Sequence, residues 1–73
     1  MIQIEEINYG SYQEVRGSVD HREIISMDNN IQGKWGVSSS AILPWEASRA
    51  EEILKCYNQV FERVLQIKLE QTK

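Results

Sequence analysis

With 73 residues, 41% of them hydrophobic and 26% charged, the chain has the length of one small globular domain and no room for a second, so residues 1–73 are expected to form a single unit. A formal net charge of −3 removes the usual electrostatic basis for broad nucleic-acid or anionic-lipid binding, and no apolar run approaches the ~20 residues of a membrane span. One cysteine, Cys56, and one histidine, His21, exclude an intrachain disulfide and leave a Cys/His zinc site without its ligands, so no metal and no cofactor is expected.

Residues 1–43 carry period-two signals and turn residues, whereas after Pro44 there is neither glycine nor proline and the apolar period becomes helical. Ile2, Ile4, Ile7 and Tyr9 predict a first strand over about 2–9, with a phase slip at Glu5-Glu6 that reads as a bulge or an early strand end. Gly10-Ser11 marks a turn. Gly17-Ser18 interrupts the next stretch, and the adjacent Ile24 and Ile25 leave its facing open, so a second strand is placed at about 19–27. Asp28-Asn29-Asn30 tolerate left-handed backbone and predict a hairpin turn. Behind it Ile31, Gly33, Trp35, Val37, Ser39, Ala41 and Leu43 share one parity, giving a third strand over about 31–42 with Ser39 toward the core and Ser38 and Ser40 toward solvent.

Pro44 suits the first turn of a helix and nothing stops it before Thr72, so one helix is expected over about 44–69. Ala47, Ala50, Ile53, Leu54, Tyr57, Val60, Phe61, Val64 and Leu65 form its apolar stripe, with charged residues on the other face. The fold class is therefore α+β: a three-stranded antiparallel sheet packed against one long C-terminal amphipathic helix. Such a helix is about 37 Å long, against about 29 Å for a compact domain of this size. Its overshooting end needs cover, most simply from a second subunit, so a homodimer is expected with Tyr57, Val60, Phe61, Val64 and Leu65 at the interface. Val64→Asp is then expected to dissociate it; a helix fraying after about Ile67 is the rival reading.

The chemistry-bearing residues form no catalytic signature. His21, Asp20, Glu23 and Ser38-Ser39-Ser40 contain the residue types of a triad, but no Gly-x-Ser-x-Gly elbow is present. Cys56 lies at the edge of the apolar stripe, where cysteine acts as a small hydrophobe. Gly33-Lys34-Trp35-Gly36 has the residue types of a phosphate cradle without the P-loop spacing, and its glycines read more simply as relief of crowding around Trp35. Trp45 reads as a plug between helix and sheet.

Elimination leaves a small non-enzymatic interaction protein, cytoplasmic by its single thiol and its start, and by its size a bacterial or phage accessory factor that binds another protein. The alternative is a small-ligand or nucleotide-binding protein using Arg22, Lys34, Ser38 and Ser40 on the open sheet face or in a subunit cleft, with a phosphate-bearing ligand.

Overall fold

The computed structural model describes residues 1–40 and 48–71. The expected helix start at Pro44, the Trp45 plug and the end of the third predicted strand lie outside the described residues. The chain forms an antiparallel sheet packed with one C-terminal helix, but the sheet has four strands rather than three: β1 Ile2–Asn8, β2 Gln13–Val19, β3 Arg22–Ile31 and β4 Lys34–Ser40, in the spatial order β1-β2-β3-β4. The helix, α1, spans Ala50–Gln71.

The missed strand is β2. Asp20 and His21 both have positive φ, 49° and 67°, and make a two-residue turn whose twist matches the flanking strands. Aspartate and histidine tolerate this conformation, but neither announces it as glycine does. Gly17-Ser18 therefore sits inside β2 instead of breaking it. Conversely, Asp28-Asn29-Asn30 belongs to β3, and the turn before β4 falls at Gln32 and Gly33, with φ of 56° and 70°. Asn29 spends its side chain accepting a hydrogen bond from the Gln13 backbone N–H at 2.7 Å, which ties β3 to the start of β2.

Two irregularities decide which residues meet the helix. Ile4 pairs with Gly17 and Glu6 with Val15, so β1 keeps one register throughout and has neither a bulge nor an early end at Glu5-Glu6. The apparent slip is a change of face: Glu6 lies on the helix side, where it pairs with Arg63. Between β2 and β3 the register does shift. Ser18 opposes Glu23 while Gly17 opposes Ile25, so Ile24 is the extra residue, and both isoleucines are buried on the helix face. A second shift makes Ser38 the extra residue of β4, with Met27 opposite Val37 and Ser26 opposite Ser39. It reverses the parity expected there: Ser39 lies on the open face, and Ser40, opposite Ile25, on the helix face.

The core lies between α1 and β1–β3. Val15, Ile25, Val60, Val64 and Ile67 form one buried cluster; Val19, Ile24, Ile53 and Cys56 form the other. Gly17 lets the helix approach, because a Cβ there would stand 2.6 Å from Cys56 Sγ and 2.7 Å from Val60 Cγ2. The molecule measures 40 × 19 × 16 Å, and α1, roughly 33 Å long, stays over its sheet to its end, where Ile67 is buried and the Gln71 side-chain amide donates to Gln13 Oε1 at 3.1 Å. The helix is laid along long strands, so the molecule departs from a sphere of the same mass. β4 lies beyond the helix's cover, leaving Ile31 and Val37 exposed and Trp35 half-buried.

Candidate functional site

Among the described residues, the open sheet face, away from the helix, holds one buried carboxylate. Glu14 is 8% exposed and lies between Tyr9, Arg16 and Ser26. The Tyr9 hydroxyl donates to its Oε1 at 2.7 Å; Ser26 Oγ at 2.5 Å and Arg16 Nε at 3.1 Å donate to its Oε2. Arg16 also pairs with Glu23, whose Oε2 accepts from Ser39 Oγ at 2.8 Å, and Ser38 Oγ lies 3.1 Å from both the Ser26 hydroxyl and its carbonyl oxygen. Tyr9 is fixed above the site by stacking on Tyr12, ring centroids 4.6 Å apart. The network joins β2, β3 and β4 with the turn after β1, and its members satisfy one another.

Burial disfavours the Glu14 carboxylate, but the hydrogen bonds from Ser26, Tyr9 and Arg16 outweigh it and hold its pKa below the usual glutamate value. Two exposed carboxylates are depressed as well: Glu6 by hydrogen bonds from Arg63, and Asp20, to about 2, by the Met1 ammonium and then Arg49. A carboxylate whose pKa is lower folded than unfolded stabilises the fold above its unfolded pKa and loses that contribution as pH falls toward the folded one. Stability should therefore hold down to about pH 4.5 and fall between there and pH 2. Glu14→Gln should cost about 1–3 kcal/mol at pH 7 by leaving hydrogen-bonding groups mismatched, with a smaller difference from the wild type at pH 3. Urea unfolding of both proteins at the two pH values measures this.

The four residues proposed for an anionic ligand do not converge. Arg22 opens β3 opposite Val19, whereas Lys34 opens β4 opposite Ile31; nine residue steps along β3 separate them, roughly 30 Å. Ser38 is engaged with Ser26, and Ser40 lies on the helix face. Gly33 serves the turn, and a Cβ at Gly36 would meet nothing within 4 Å, so crowding around Trp35 explains neither glycine. Nor do the triad residue types assemble: His21 is an exposed turn residue with no hydrogen bond or ion pair among the described residues. Cys56 is buried under Gly17, where burial and then Glu52 push its thiol pKa up, away from reactivity. Among the described residues no group of three or more His, Cys, Asp or Glu could hold a metal ion, and no helix is long and apolar enough to cross a membrane.

The five residues expected at a dimer interface divide. Val60 and Val64 are buried against the chain's own sheet, so they offer no surface to a partner. Phe61 and Leu65 are exposed, and Tyr57 is half-buried with its ring stacked on Phe61, centroids 6.4 Å apart. With Leu54 they form a second apolar stripe, 59%, 45% and 55% exposed at Leu54, Phe61 and Leu65. Leu54, Phe61 and Leu65 are centred roughly 120° around the helix from the buried stripe, at 100° per residue. In the sequence alone the two stripes run together as one. Comparison of the chain with protein-family models, with curated proteins and with solved structures finds no match.

Proposed function

We propose that the chain is a small, non-enzymatic protein-binding module that acts as a homodimer. What supports this reading is the second stripe of α1: Leu54, Phe61 and Leu65 are large, apolar, on one side of a rigid helix and turned away from the sheet that the helix covers. The satisfied Glu14 network serves the fold, and the open sheet face and the uncovered β4 remain for an unlike partner. A reducing, cytosolic setting suits the buried free thiol of Cys56.

Sedimentation equilibrium across a concentration series tests the reading. The expected mass rises from 8.5 kDa toward twice that value. Leu65→Glu should hold the protein at the monomer mass while leaving its circular dichroism and urea midpoint nearly unchanged, since Leu65 is outside the core. A wild-type chain that stays monomeric at all concentrations removes the homodimer.

A further inference from the structure

From the outward stripe we infer that two copies pair through α1 in antiparallel orientation, in a single register set by Lys55 and Glu62. The inference rests on the homodimer proposed above and names the geometry of its seam. Leu54, Asn58, Phe61 and Leu65 are spaced four, three and four residues apart, the a/d spacing of a coiled-coil seam, and all four are exposed. Glu51 and Lys68, both exposed, occupy the next seam positions and bound the apolar run at either end. The helix thus carries one apolar stripe for its own sheet and a separate, short seam with polar limits.

A two-fold axis between antiparallel helices brings the same flank of each helix together, and residue i lies opposite residue j where i + j is constant. Placing Leu54 opposite the partner's Leu65 fixes that register. Asn58 then meets Phe61, and each Asn58 lies beside the axis, close to its own copy. A single polar residue in such a seam is the usual device for fixing register at some cost in stability. The same register places Lys55 within two residues of the position facing the partner's Glu62, on the same flank, and the symmetry makes this contact twice. Among the described residues Lys55 has a loose pair with Glu51, at 3.8 Å, and both Lys55 and Glu62 are exposed. A parallel pair would bring opposite flanks together and leave this match unused. Charge complementarity therefore selects a second copy of this chain, antiparallel, as the occupant. With Leu54, Asn58, Phe61 and Leu65 at its centre, the seam has far fewer residues than the roughly 20–30 a side of a standard interface, so the dimer is expected to dissociate in the micromolar range.

Charge reversal tests this on the whole chain. Lys55→Glu alone should set carboxylate against carboxylate at both symmetric contacts, and Glu62→Lys alone should set ammonium against ammonium at both; each should raise the dimer dissociation constant roughly tenfold. Mixing the two single variants should restore affinity, because in the mixed dimer one contact pairs two native side chains and the other pairs the two reversed ones, so both are again opposite in charge. An effect of either substitution inside its own chain cannot produce that recovery. A wild-type dimer indifferent to both reversals, or single variants that do not recover on mixing, would overturn this register and leave the homodimer standing. A wild type that remains monomeric overturns both.

Discussion

Val64→Asp should unfold the chain instead of separating two folded subunits. Val64 is 4% exposed and packs with Val15, Ile25, Val60 and Ile67 beneath α1, so the substitution places a carboxylate among apolar side chains. An uncompensated buried charge costs about 3–5 kcal/mol. A domain of this length has about 4–11 kcal/mol to lose, at ~0.05–0.15 kcal/mol per residue. Far-UV circular dichroism with a thermal scan should show a much lowered or absent transition, whereas Leu65→Glu, one residue along but on the outward stripe, should keep a near-native one. Two adjacent helix positions with opposite outcomes would establish which side of α1 is the core. A folded, monomeric Val64→Asp would mean that the helix is rotated from the orientation described.

Gly17→Ala should destabilise the fold although it adds a single methyl group. Alanine inside a strand ordinarily gains about 0.5–1 kcal/mol over glycine. Here its methyl group would stand 2.6 Å from Cys56 Sγ, 2.7 Å from Val60 Cγ2 and 3.4 Å from Ile25 Cγ2, so helix and sheet must part. Overpacking of this kind costs about 1–3 kcal/mol, which outweighs the propensity gain. Combining it with Cys56→Ala, which removes the nearest atom, should restore part of the loss, and a double-mutant cycle by urea unfolding reads the coupling, expected at about 0.5–3 kcal/mol. Additive effects would show that Gly17 and Cys56 do not touch.

The helix was legible because its signal is redundant: Ile53, Cys56, Val60, Val64 and Ile67 recur at spacings of three and four with no breaker between them. The sheet was legible in class but not in count. A turn at Asp20-His21 depends on two residues that adopt positive φ only when the strands on either side pair, so nothing local distinguished it from the more turn-like Asp28-Asn29-Asn30. Two of the three register shifts were similarly silent. Ser38 and Ile24 each shift a strand by one residue, and the sequence carries only the consequence, two adjacent isoleucines and three adjacent serines. Glu14 was not singled out as a site residue at all. Its burial depends on Tyr9 from the preceding turn and Ser26 from the neighbouring strand, a meeting that exists only once the register is set. The outward stripe was present in the sequence but merged with the inward one, because a single heptad-like pattern cannot say which side of a helix a sheet will take.

The strands pair only with their sequence neighbours, so each hairpin can form as soon as its second strand has been synthesised. The helix that covers their apolar face comes after all of them. Until Ile67 has been made and docked, the side of the sheet formed by Val15, Val19, Ile24 and Ile25 has no lid. For this chain the hazardous interval in biogenesis is therefore the one between completion of β4 and docking of α1, when a complete but bare sheet is most open to aggregation and to capture by chaperones.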